Sequence, residues 1–189
     1  MTARDLPILF SAPMVRAILD GSKTQTRRLI KAPAGAEWLM DELPDGTPLP
    51  LRQIGWGEYH PIQCPYGASG NRLWVREEWG TISVLDPLPP RSIGRQAPVH
   101  YRADGAGSGR WRRAFHMPRW VSRITLEVLE VCPERLQKIT QADLHAEGFD
   151  ELGAFAGAWD EIHGQHGPES WAGDPWVWAI RFRVAEVRQ

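Results

Sequence analysis

Val121-Ser-Arg-Ile-Thr-Leu-Glu-Val-Leu-Glu-Val131 is the stretch on which the fold turns. Ile124, Leu126 and Val128 alternate with Arg123, Thr125 and Glu127, the period of two that sends one side chain into a core and the next toward water. The phase slips at Leu129, as a bulge would cause. A second run closes the chain: between Trp176 and Val184, Trp178, Ile180, Phe182 and Val184 alternate with Val177, Ala179, Arg181 and Arg183. Toward the N-terminus, Arg72-Leu-Trp-Val-Arg-Glu77 sets Leu73 and Val75 against Arg72, Trp74 and Arg76, and Pro7-Ile-Leu-Phe10 reads as a short buried strand. Lys23 to Ile30, with β-branched residues in alternation and no helix cap, is predicted to be a further strand.

Helical signals lie between these strands. Ser11 and Pro13 open a short helix that buries Val15, Ile18 and Leu19 and stops at Gly21, a residue suited to the left-handed position after a helix. Thr140-Gln-Ala-Asp143 resembles a capping box and opens a helix that Gly148 closes. Phe155, Ala158, Trp159 and Ile162 then fall at i, i+3, i+4 and i+7. Loop-rich excursions occupy about 31–70 and 82–115, the first crowded with Pro and Gly and reading as an excursion with short strands, the second with only Val99 to Arg102 strand-like. Short, antiparallel-looking strands with a few short helices predict an α+β fold, a small β-barrel with short flanking helices, as a single domain over 1–189.

The 189 residues are too few for two domains of ordinary size. A content of 42% hydrophobic and 24% charged residues excludes a disordered chain. No apolar run approaches the roughly 20 residues of a membrane span, and the first residues lack the apolar core of a signal peptide, so a soluble cytoplasmic protein without a membrane partner is expected. A net charge of -1 excludes a bulk nucleic-acid coat while leaving local basic patches open. Cys64 and Cys132 are too few for a disulfide framework. His60 precedes Cys64 by four residues, but no second Cys/His pair stands at ligand spacing, so neither a metal nor another cofactor is expected. The chain has 10 Trp among its aromatics, and 19 Arg against only 3 Lys. Codon bias in a GC-rich genome accounts for most of the Arg excess.

One of the three lysines stands in Gly21-Ser-Lys-Thr-Gln-Thr-Arg-Arg28. Arginine keeps its proton in a protein, whereas burial and nearby positive charge turn a lysine into a base, and a threonine hydroxyl needs such a base to act as a nucleophile. An ideal strand puts Thr24, Thr26 and Arg28 on one face and Lys23, Gln25 and Arg27 on the other, so Lys23 has to fold back at the bend to reach Thr26. The same residues also suit an ordinary solvated turn.

Together these pieces resemble an ASCH-domain protein of the PUA-like superfamily, particularly the forms of bacteriophages and prophages. The matching segments are Pro7–Phe10 with Met14–Gly21, Lys23–Arg28, Cys64-Pro-Tyr-Gly67, Gly70–Glu77, His116–Trp120 with Ser122–Glu127, Ala146-Glu-Gly148 and Pro175–Trp178. The resemblance implies a β-barrel with a cleft associated with RNA or nucleotides. Some small members are amidohydrolases that deacetylate N4-acetylcytidine with a Lys, a Thr three residues later and a Glu on a following helix. Carried over by position these are Lys23, Thr26 and Glu147; Glu147 read on its own is also an ordinary exposed residue of a last helical turn. In this reading Arg27 or Arg28 stabilises the oxyanion or grips a phosphate, and Tyr66 and Trp74 stack a base. The alternative is a non-catalytic RNA-binding module in which Lys23, Arg27, Arg28, Arg76 and Arg119 meet phosphates; Thr24 joins the substrate-binding set in either case. Other branches carry Glu where Thr26 stands, so the fold alone leaves the activity open.

Overall fold

The computed structural model describes residues 4–31 and 37–188. Residues 32–36 of the first excursion, Pro33 among them, lie outside the described residues. The long hairpin predicted from the alternating runs is the spine: β9 (Ile124–Arg135) and β10 (Trp176–Val187) pair antiparallel. Glu130 faces Arg181 while Val128 faces Phe182, so Leu129 is the unpaired residue at the predicted phase slip. β10 pairs on its other side with β2 (Gln25–Leu29), and β9 with β6 (Arg72–Arg76), whose far side carries β1 (Asp5–Leu9). Ile124, Leu126 and Val128 are fully buried with Leu73, Val75, Ile180 and Phe182.

Two expectations change. β1 and β6 are parallel, not antiparallel, because the chain between them makes the long crossover that such a pair needs. The five strands form an open sheet with β1 and β2 at its edges, and among the described residues backbone bonds do not close it into a barrel. The edges are joined instead by α1 (Ala12–Leu19), whose Val15 and Ile18 fill the core, and a side chain spans the gap, with Arg28 Nη2 of β2 donating to the Leu9 carbonyl of β1 at 2.5 Å. The fold is α+β, mostly sheet with a few helices, and no helix is long and apolar enough to cross a membrane.

On the far face of β2 a second core joins Leu136, Leu144 and Val177 to Phe155 and Trp159 of α3 (Leu152–His163). α2 (Gln141–Ala146) begins on the predicted box: the Thr140 hydroxyl accepts from the Asp143 N–H, and Asp143 accepts from the Thr140 N–H.

Both excursions carry the short strands expected of them. In the first, β3 (Trp38–Glu42), β4 (Pro48–Gly55) and β5 (Glu58–Pro61) make a separate antiparallel sheet with β4 in the middle. A central strand excludes proline, yet β4 contains Pro48 and Pro50. The conflict is resolved by length: strand pairing with β5 starts only at Leu51, so both prolines lie where β4 has no strand on that side. In the second, β7 (Trp79–Thr81) pairs with β8 (Val99–Tyr101) over a small core of Trp79, Ile93, Met117 and Val121.

Truncating the spine should test its weight. Leu126→Ala, at a fully buried position in β9, is expected to cost about 2–5 kcal/mol, read as a lowered denaturant midpoint at unchanged slope; a loss within experimental error would show that β9 is not the centre of the fold.

Candidate functional site

The site begins where α1 ends. Gly21 takes a φ of 84°, the left-handed turn that only glycine adopts without strain, and the Asp20 carboxylate accepts from both Ser22 N–H and Ser22 hydroxyl. The chain then docks twice: Lys23 N–H donates to Ala17 O and Thr24 N–H to Ala146 O, each at 2.8 Å. These bonds press the turn between α1 and the end of α2. Gly148, with a φ of 86°, lets α2 stop there, and a Cβ on it would stand 3.6 Å from Lys23 Cβ.

Lys23 is consequently buried, and its ammonium donates to Glu147 Oε2 at 2.6 Å and to the Glu147 carbonyl at 2.8 Å. Glu147 is buried too, not the exposed last-turn residue that the sequence also allowed. Its other oxygen accepts from Arg27 Nη1 at 3.2 Å. Arg27 also pairs with Glu134 at 2.7 Å and Asp143 at 3.5 Å. The hydrogen-bond pattern orients the Gln25 amide with its nitrogen on Asp143 and its oxygen on Arg27. Lys23, Gln25 and Arg27 thus share one side of the chain, as alternation predicted, and that side meets three carboxylates. Burial lowers the Lys23 pKa from its ordinary 10.5; the Glu147 carboxylate opposes this, and the nearby Arg28 and Arg27 charges add to it. Burial raises the Glu134 carboxyl, against the pull of Arg27.

Thr26 and Arg28 face the other way. β2 is an edge strand, and along it a recess of about 40 Å³ is bordered by Thr26, Arg27, Arg28, Glu147, Met14 and the α3 residues Ala158 and His163. Among the described residues the Thr26 hydroxyl makes no hydrogen bond to Lys23 or Glu147. Lys23 is therefore paired with Glu147, and Thr26 and Glu147 border one recess with no hydrogen bond between them, so the Lys23 ammonium rests on Glu147 rather than on Thr26.

Arg28 and His163 also border a second, larger cleft of about 770 Å³, whose walls include Tyr66, Trp178, Arg52 and His60. Arg28 lies over the rings of Phe10 and Tyr66, at 5.1 and 5.9 Å, with its buried Nε unpartnered. Burial holds the His163 imidazole below the ordinary 6.5, and its ring stacks on Trp159 with centroids 4.3 Å apart.

The remaining sequence candidates lie elsewhere. Trp74, on β6, has the guanidiniums of Arg76 and Arg119 at 4.5 and 5.6 Å from its ring, and none of the three borders either opening. Thr24 is exposed and lines neither. Trp178, which alternation assigned to the core, packs there and also lines the cleft. Arg52 and His163 carried no signal in the sequence: one lies in a proline-rich excursion, the other just before a helix-ending glycine.

No family model matches the chain, and no curated protein matches it. Among solved structures it is similar to the crystal structure of protein EF3133 from Enterococcus faecalis, assigned to the family model DUF984, at 11% identity and a TM-score of 0.46, over 100% of this chain and 84% of that one. At that distance nothing about the site follows from the likeness, and the ASCH resemblance rests on the residues quoted above.

The depressed Lys23 pKa fixes the sign of a pH effect. The unfolded chain binds this proton more tightly than the folded one, so stability rises with pH from the folded value up to the unfolded 10.5. Lys23→Met should flatten that rise relative to the parent in alkaline unfolding titrations. Parallel curves for the two proteins would show that Lys23 is not depressed. Gly148→Ala should separately cost about 1–2 kcal/mol, measured by chemical unfolding, because its φ of 86° penalises a Cβ; a neutral outcome would mean that the helix end relaxes.

Proposed function

We propose that the protein acts on RNA or modified nucleosides through an ASCH-type site, as an amidohydrolase that removes the acetyl group of N4-acetylcytidine-type nucleosides. In the same reading the open sheet, bulged in β10–β9 and bridged at its edges by Arg28, is a PUA-like barrel closed by a side chain, and the reaction takes place in the cytoplasm without a cofactor. The observation that carries the proposal is the buried Lys23–Glu147 pair beside a recess that Thr26 borders. At about 40 Å³ the recess has space for about three water-sized groups, and an acetyl group has three non-hydrogen atoms.

The chemistry follows from these groups. Neutral Lys23 takes the Thr26 hydroxyl proton as the Thr26 oxygen attacks the acetyl carbon, and Arg28, whose guanidinium has no carboxylate partner among the described residues, stabilises the oxyanion. Arg27 is already matched by carboxylates and plays no such part. The tetrahedral intermediate collapses with cleavage of the C–N bond, and the amine leaves with the proton returned by Lys23. Water, deprotonated in turn by Lys23, then cleaves the Thr26 ester to acetate and free hydroxyl. Glu147 holds Lys23 in place and raises its affinity for the proton, which makes it a positioning residue.

The step requires Lys23 to turn from Glu147 toward Thr26, and its present bonding favours a second reading, a binding module in which the pair is structural. Release of acetate from N4-acetylcytidine decides between them. Thr26→Val and Lys23→Arg, the second keeping the charge opposite Glu147, should each lower kcat at least about a hundredfold with the fold retained. Glu147→Gln should move the acid limb of kcat/KM to lower pH. Unchanged turnover in either of the first two variants would sink the hydrolase. A protein that releases no acetate but binds single-stranded RNA with a log-linear salt dependence, shallower in Arg28→Ala, would be the binding module.

A further inference from the structure

The first excursion builds one wall of the cleft. In its sheet Trp38 stands opposite Arg52, and Arg52 opposite His60, so the three form one row on the same face. Arg52 and His60 of that row line the cleft. Across from them are Arg28, Lys31, His163 and the Tyr66 ring, and no lining residue is acidic. The nearest carboxylate contact among the described residues is Glu169 on Lys31, 3.7 Å apart and well exposed. Arg52 has no hydrogen-bond or carboxylate partner among the described residues, while Arg28 keeps a buried, unpartnered Nε. In a chain of net charge -1, three guanidinium or ammonium groups and two imidazoles around one cleft are a local reversal of sign.

We infer that this wall makes the cleft a phosphate-binding site, so that its ligand is a phosphorylated nucleoside, as a mononucleotide or as one residue of an RNA strand, and not a free nucleoside. The inference rests on the proposed function for the base but not for the phosphate. Arg52 and Lys31 meet the phosphate oxygens by charge-assisted hydrogen bonds, Tyr66 and Arg28 meet the base, and the sugar between them sets the base toward the recess. Trp38, one place beyond Arg52 in the row and partly exposed, offers a stacking face to a neighbouring base if the ligand is a strand.

The test is calorimetric binding of cytidine, cytidine 5′-monophosphate and a single-stranded RNA of about eight nucleotides at one salt concentration, which needs no turnover. The monophosphate is expected to bind at least about tenfold tighter than cytidine. Arg52→Ala, on an exposed side chain with no partner to strand, should remove that preference, and Arg52→Glu should invert it. A Trp38→Ala loss confined to the RNA identifies the strand as the ligand; unchanged RNA affinity identifies the mononucleotide. Equal affinity for cytidine and its monophosphate, a preference that survives Arg52→Glu, or no binding of either phosphorylated ligand overturns the inference. Binding that depends on Arg52 in a protein that releases no acetate would leave the phosphate site standing and remove the hydrolase.

Discussion

The contact between the Lys23 ammonium and Glu147 joins two parts of the chain 124 residues apart, both in side chain and at the carbonyl that ends α2. Two charges removed from water cost several kcal/mol each unless their partners are complete, and completeness here reaches well beyond the pair. Glu147 needs Arg27 for its second oxygen, and Arg27 in turn draws in Glu134 from β9, Asp143 from the capping box of α2 and Gln25 from its own strand. A helix start, a helix end, a strand edge and the spine are therefore tied to one buried network. Loss of either member of the central pair would leave the other buried and only partly compensated.

The spine makes that network possible. The first part of β10, Val177 to Ile180, is buried on both faces, with Trp178 and Ile180 in the main core and Val177 against α3, so β2 alongside it sits between two cores. An edge strand so placed keeps one free row of backbone and two covered faces. Its alternating side chains then meet different surroundings: Gln25 and Arg27 meet the carboxylates, and Thr26 and Arg28 meet the openings, with Arg27 and Glu147 also at the border of the recess.

Much of this was legible in the sequence, and for identifiable reasons. The alternation of Ile124, Leu126 and Val128 and the slip at Leu129 reflect local pleating, which depends on neighbours a few residues away, and they predicted both the strand and its bulge. The capping box at Thr140 and the stop at Gly21 are equally local. Pairing partners are not. The parallel β1–β6 pair, the open edges and the register that aligns Trp38, Arg52 and His60 depend on contacts between distant segments, and the sequence predicts short strands in the proline-rich excursion but not their pairing, because it does not say where the neighbour of β4 ends. The candidate site divides in the same way. The family-like spacing singled out Lys23, Thr26 and Glu147, whereas Trp74, Arg76 and Arg119 share chemistry with a binding surface but lie together elsewhere, on β6 and the turn at Arg119. Arg52 and His163 become candidates only through the geometry of the cleft.

Arg27 and Arg28 show how the strand divides labour between structure and ligand. They are chemically identical and adjacent, and composition gives no reason to separate them. Alternation turns Arg27 toward three carboxylates, so its charge is neutralised and its position fixed. Arg28 on the opposite face has only a carbonyl and two aromatic rings. A guanidinium keeps its charge in either setting, so Arg28, with no ion pair of its own among the described residues, presents a cation where the recess meets the cleft. A carboxylate paired directly with Arg28 would steady it and cancel the attraction that an anionic ligand or an oxyanion needs. Holding it with neutral groups supplies position without neutralisation, and the carboxylates on the other face of β2 keep the strand that carries it in place.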